Sequence, residues 1–202
     1  MAHRVFISYH HDNDQDYKEK LIELNDEHEI FIDMSVGTDE ISDELKDEEI
    51  REIIRDDYLK DSTVTILLCG TETKNRKHID WELYSSMYNG KKNKRSGIII
   101  VNLPSIQSES LVRASNEREK EEVFTEIKSW ISLDTRHDYE KKYPYFSERI
   151  IDNFLKSGVK ISVVNWSHVQ EPEKLKSLIY HALNNKDTNN YDLSTKMKRR
   201  NS

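Results

Sequence analysis

The sequence holds a single cysteine, Cys69, which excludes a disulfide framework and a cysteine-built metal site. Cys69 sits inside the apolar run Val64-Thr-Ile-Leu-Leu-Cys69, where a buried small hydrophobe is the expected role. No apolar run approaches the roughly 18 residues needed to cross a bilayer. The opening Met-Ala-His-Arg-Val-Phe-Ile likewise lacks the long apolar stretch of a secretory leader. These absences lead to the expectation of a soluble cytoplasmic protein with no membrane partner. Basic charge is not in excess either: 31 Lys and Arg stand against 38 Asp and Glu, a net charge of −7. A phosphate backbone is a poor partner for such a chain without a strong local basic patch. The clusters at Lys91, Lys92, Lys94 and Arg95, and at Lys196, Lys198, Arg199 and Arg200, read as solvated charge, so no nucleic-acid partner is expected.

What the chain does contain is alternation. Short runs rich in β-branched residues lie at 5–9, 30–34, 63–69, 98–103 and 159–164. Continuous apolar runs of this kind indicate strands buried on both faces, as in a parallel sheet. Between the first two, residues 12–25 put Tyr17, Leu21 and Leu24 on one helical face, with Asp12, Asp14 and Asp16 as capping acids. Residues 44–59 carry Ile50, Ile53, Ile54 and Tyr58 on one stripe, and a helix over 76–88 follows the cap candidate Asn75 and closes at Asn89-Gly90. Strand and helix alternate here as in a doubly wound, flavodoxin-like α/β sheet. Residues 106–158 break the rhythm as a polar, helical elaboration, with helices expected at 117–131 and 146–154. A fifth strand at 159–165 and a helix at 172–183 complete a single domain spanning 1–184. Residues 185–202 are polar and aperiodic, and read as a disordered tail.

In open α/β sheets ligands bind beyond the carboxyl ends of the strands, where the strand order reverses. For the order 2-1-3-4-5 that point lies between the first and third strands. Ser8, Tyr9, His10 and His11 follow one, and Gly70-Thr71 the other. On the next helix Ile79, Leu83, Ser86, Met87 and Gly90 form the sheet-facing stripe. Glu82 falls at its edge, where a carboxylate looks into the crevice while partly solvated. Trp81, Tyr84 and Tyr88 fall on the far side, either packing against the C-terminal elaboration or forming an assembly face.

Two segments carry a family resemblance. Arg4-Val-Phe-Ile-Ser-Tyr-His10 resembles the first box of TIR domains, and Thr71-Glu-Thr-Lys-Asn-Arg-Lys-His-Ile-Asp-Trp-Glu-Leu83 resembles their third-helix motif. The Thr-x-x-x-Asn-Arg lead-in is most similar to the bacterial TIR-like proteins of the Thoeris antiphage system, the ThsB family. The resemblance implies an enzyme that takes NAD as substrate, with no separate cofactor and no metal. It implies release of nicotinamide and a cyclic ADP-ribose signalling nucleotide that activates a downstream effector protein. It places Glu82 at the catalytic position and Phe6, Ser8 and Tyr9 along the nucleotide site. The segment 35–45 becomes the loop that borders the site and mediates homo-oligomer assembly. His78 stands where the family has a tryptophan, so the aromatic packing differs or His78 itself enters the pocket.

Other readings fare worse. A non-catalytic TIR-like interaction module remains the alternative, against which the retained Glu82 argues. A phosphoacceptor receiver needs acids at the ends of the first and third strands, where Ser8-Tyr9 and Cys69-Gly70 stand instead. Asp33, ending the second strand, serves either turn hydrogen bonding or contact with a nucleotide hydroxyl. His10 follows the first box directly and is a candidate ligand contact. Adjacent His10 and His11 point apart on a strand, and Asp12, Asp14, Asp16 and Glu23 mimic calcium spacing with Tyr17 where the turn glycine belongs.

Overall fold

The five apolar runs pair into one sheet. A computed structural model of the chain describes residues 3–35, 45–106 and 111–201. Its strands are β1 (His3–Ser8), β2 (Phe31–Asp33), β3 (Val64–Cys69), β4 (Gly97–Asn102) and β5 (Ser162–Asn165). All pair in parallel in the order β2-β1-β3-β4-β5, the flavodoxin-like order expected from the sequence. Every residue of β3 and β4 is buried, because central parallel strands are covered on both faces. Alternate side chains therefore feed different cores. Val5, Ile7, Ile66, Leu68 and Val101 share one cluster with Leu21 and Leu178, whereas Leu67, Cys69, Ile98 and Ile100 share another with Ile79, Leu83 and Met87.

Helices α1 (His11–His28), α2 (Asp47–Ile53), α3 (Lys77–Met87), α4 (Glu117–Val123), α5 (Arg136–Lys142), α6 (Glu148–Leu155), α7 (Trp166–Val169) and α8 (Pro172–Lys186) cover the two faces. Leu21 of α1 and Leu178 of α8 serve the first cluster, and α3 and α6 serve the second. The outer side of β5 is met by an antiparallel bridge between Arg113 and Val163, which shields that edge. No helix of the described residues is long and apolar enough to cross a membrane.

One close approach fixes how α8 sits on the sheet. A Cβ on Gly97 would lie 2.1 Å from the carbonyl oxygen of Ala182, a backbone atom that no rotamer change moves. Gly97→Ala is therefore expected to destabilise the chain by about 1–3 kcal/mol, read as a lower urea midpoint.

Three expectations need correction. The helix expected at 117–131 ends at Val123, because Phe124 turns into the core against Trp130 and His168 (ring centroids 5.3 and 5.2 Å apart). The helix expected at 44–59 is α2 followed by a π-turn over Ile54–Tyr58, which brings Ile54 and Leu59 into one core with Phe6 and Trp81. The third concerns the tail. Residues 187–201 have no regular structure, yet they lie packed along α3 and α6. Tyr191 is buried and its hydroxyl donates to the Ser96 carbonyl (3.0 Å), and the Asp192 amide donates to Asn153 Oδ1 (2.8 Å). Met197 is buried beside Trp81. Isolated anchors and side-chain-to-backbone bonds give this segment its order, and neither leaves a periodic pattern.

The same segment, with Arg149 of α6 and Arg51 of α2, explains the aromatic face of α3. Trp81 is 0% exposed and its Nε1–H donates to the Lys198 carbonyl (2.6 Å). Tyr84 lies beneath Arg149 (4.9 Å) and Tyr88 beneath Arg51 (4.0 Å). This face, raised above as an assembly surface, is thus covered from within the chain.

Candidate active site

The site lies where β1 and β3 end and α1 and α3 begin. β1 delivers Ser8 in register with Leu67 of β3, and the backbone then turns at Tyr9-His10 into α1. On the other side, Gly70 leads through a short 3-10 turn over Thr73–Asn75 to Arg76, the residue before α3. Asn75 lies within that turn, so it does not cap the helix as expected from the sequence.

Glu82 projects from the second turn of α3 toward the end of β1. The Ser8 hydroxyl donates to its Oε2 at 2.6 Å. The expectation of partial solvation is wrong: Glu82 is 4% exposed, because Ser8 and the sheet end enclose it. It nevertheless lines a cavity of about 260 Å³. Tyr9, His10 and Asp12 contribute one wall from the β1–α1 turn, and Arg76 and His78 contribute the other from α3. His11 stacks on Tyr9 with ring centroids 4.5 Å apart. Burial, and then the nearby Arg76 charge, lower the pKa of His10, so its imidazole is neutral at pH 7.

Of the residues singled out from the sequence, Glu82, Tyr9, His10 and His78 line this cavity together. Ser8 belongs to the same cluster through its bond to Glu82. His78 stands on the wall itself, with its ring 4.9 Å from Trp81. Phe6 does not reach the cavity; it is buried in the core shared with Trp81, Ile50 and Ile54. Asp33 ends β2, and its Oδ1 accepts from both Ser35 N–H (2.9 Å) and Ser35 Oγ–H (2.6 Å) in the turn that follows. Ser35 Oγ accepts in turn from the Ile7 amide (3.0 Å), so Asp33 ties the edge strand to β1 rather than lining the pocket. Residues 36–44 of the loop at 35–45 lie outside the described residues.

Three contributors gave no signal of their own. Arg76 is hidden within the lead-in to the helix. Asn201, on the segment read as disordered, reaches the cavity rim and accepts from the Lys77 amide. Asp14, taken for a capping acid, is buried against Gly70, where a Cβ would lie 2.9 Å from its carboxylate. Burial pushes its pKa up to about 6, against a partial offset from a hydrogen bond with the His10 backbone. An acid whose folded pKa is raised keeps its proton in the native chain after the unfolded chain has lost it. Stability therefore falls as pH rises from about 4 to about 6. Asp14→Asn is expected to raise the melting temperature at pH 7.5 and to leave it nearly unchanged at pH 3.5.

Cys69 ends β3 fully buried, and burial drives its thiol far above the ordinary range, so it is no nucleophile.

A five-stranded parallel sheet in this order, with a glutamate of the third helix seated on the serine that ends the first strand, defines a TIR-like α/β domain. The family model described as the TIR-like domain of Thoeris protein ThsB matches residues 6–108, just over half the chain, and the chain belongs to that family. The match runs from the second half of β1 through β4, and takes in Ser8, Arg76, His78 and Glu82. No curated protein matches the chain.

Proposed function

We propose that this chain is a TIR-like enzyme of antiphage defence that cleaves NAD at the nicotinamide–ribose bond. The observation that carries the reading is a buried carboxylate, Glu82, fixed by Ser8 Oγ at 2.6 Å and facing a cavity at the sheet's switch point. Heterolysis sends the bonding pair to the nicotinamide nitrogen, so the leaving group departs neutral. Positive charge builds on the ribose anomeric carbon, an oxocarbenium-like state as in glycoside cleavage. A preorganised carboxylate beside that carbon stabilises the charge without reorganising. His78, on the α3 wall, contacts the ribose or the departing base. The cavity, at about 260 Å³, suits the nicotinamide–ribose end, with the adenosine end toward the rim.

Capture of the cation by water yields linear ADP-ribose and a proton. Capture by a nucleophilic group of the adenosine end yields a cyclic product and the same proton. The cyclic product is the reading taken here, as a signalling nucleotide that activates a separate effector. It requires a site that excludes water.

The test incubates the purified chain with NAD and follows nicotinamide by chromatography. In parallel, nucleotides are profiled by mass spectrometry from phage-challenged cells carrying wild-type or Glu82→Gln protein. A new species one water lighter than ADP-ribose, the mass of the cyclic product, is expected in wild-type cells alone. Identical profiles would sink the proposal and favour an interaction module that turns nothing over.

A further inference from the structure

The chain sets one of its own oxygens where an anion would bind. Arg76 makes no side-chain capping bond at the head of α3. The first amide of the helix, Lys77 N–H, instead donates to Oδ1 of Asn201 at 2.9 Å, from 124 positions further along the chain. Asn201 is exposed and lines the same cavity as Glu82. The amides and dipole at a helix N-terminus favour anionic oxygens above neutral amide oxygens.

Two residues near this amide carry a buried nitrogen with no hydrogen-bond partner, although His10 Nε2 lies 3.9 Å from Asp12 Oδ2. His10 is 6% exposed and its Nδ1 has no hydrogen-bond partner, and neither has the buried Nε of Arg76. Both residues line the cavity. The two side chains lie close enough to interact, since the Arg76 charge helps to depress the His10 pKa. An arginine Nε and an imidazole Nδ1 left unbonded on the walls of a cavity at a helix start form a donor set suited to phosphoryl oxygens.

We propose that the head of α3, with Arg76 and His10, is a phosphoryl subsite for the pyrophosphate of the dinucleotide, and that Asn201 occupies it as an internal competitor until ligand displaces it. The assignment rests on the nucleotide reading of the cavity given above.

The way residues 187–201 are held makes such displacement accessible. Up to Lys198 the segment is fastened by buried groups: Tyr191, Met197 and the Trp81 bond to the Lys198 carbonyl. Beyond it the contacts are solvent-exposed. Arg199 pairs with Asp47 and donates to the Leu45 carbonyl (2.6 Å), and Asn201 makes its single capping bond. One exposed ion pair, one exposed hydrogen bond and one cap favour the closed form by only about tenfold. Opening this end leaves the core undisturbed.

The test measures binding by calorimetry to three proteins: wild type, a chain ending at Lys198, and Asn201→Ala. The probes are ADP-ribose, inorganic pyrophosphate and adenosine. ADP-ribose and pyrophosphate are expected to bind the shortened chain about tenfold tighter, Asn201→Ala to show a smaller gain, and adenosine to be unaffected. Arg76→Gln in the shortened chain is expected to cancel the gain. Retained melting temperatures would show that each protein is folded. Unchanged or weaker ADP-ribose binding, an equal gain for adenosine, or no pyrophosphate binding at millimolar concentration would each overturn the proposal. These comparisons are independent of turnover. NAD cleavage by Glu82→Gln at the wild-type rate would defeat the catalytic reading and leave them standing.

Discussion

Glu82→Gln is expected to slow nicotinamide release by about two to three orders of magnitude while the chain remains folded. The replacement keeps the shape of the side chain, and the Ser8 hydroxyl still finds an oxygen to donate to at the Oε2 position. What disappears is the negative charge opposite the developing oxocarbenium. Glu82 is almost wholly buried, so a neutral amide there also removes the cost of desolvating a carboxylate. The melting temperature is expected to stay level or rise, the usual relation where an active site is maintained at some cost in stability. Single-turnover nicotinamide release and a thermal melt, taken on the same preparation, separate the two effects. Ser8→Ala is expected to cost about tenfold in rate, because it frees the carboxylate from its charge-assisted bond. A glutamine variant within threefold of wild type would remove Glu82 from the chemistry.

Arg149→Met is expected to destabilise the chain by about 3–5 kcal/mol, the largest stability effect of a single side chain here. The Arg149 side chain is 0% exposed. Its Nε and Nη2 donate to the two oxygens of Asp80 at 2.8 and 3.0 Å, and the remaining donors reach the carbonyls of Thr195 and Lys196. Asp80 belongs to α3, Arg149 to α6 and the two carbonyls to the covering segment, so one guanidinium fastens three pieces of chain. Methionine fills much of the volume but leaves the buried Asp80 carboxylate without its counter-charge, with the Lys198 amide (2.9 Å) still donating to it, and takes the guanidinium from two carbonyls. Urea denaturation of the single variant and of Asp80→Leu/Arg149→Met distinguishes the causes. The double variant is expected to recover part of the loss, since no buried charge is left alone. A single-variant cost below about 1 kcal/mol would mean that the pair does not fasten the segment.

The sequence revealed the sheet clearly because β3 and β4 are apolar at nearly every position, and only central parallel strands demand that. It also located Glu82, since helical periodicity and the strand-order rule both act locally around α3. It could not show how deeply Glu82 is enclosed, because the enclosing Ser8 comes from a different part of the chain. Phe6 and Asp33 fell outside the cavity for complementary reasons. Alternation turns Phe6 to the face opposite Val5 and Ile7, into the core with Trp81, while Asp33 is taken up by Ser35. The segment 187–201 was misread because polar composition and lack of period describe both a disordered tail and a strap held at a few points. Met197 and Tyr191 are the points that separate the two, and single apolar residues carry no pattern.

The cover on Trp81 also sets a sequence of events. The indole and the head of α3 are bonded by residues 117 and 124 positions further on, so the helix bearing Glu82 leaves the ribosome long before its outer wall exists. During that interval Trp81 has its sheet-side partners but lacks Met197 and the Lys198 carbonyl. Contacts of such long sequence separation form late and slowly. A nascent chain stalled before residue 191 would therefore present the indole to solvent or to a chaperone. The outer wall of the helix that bears Glu82 is thus among the last parts of the described chain to be built.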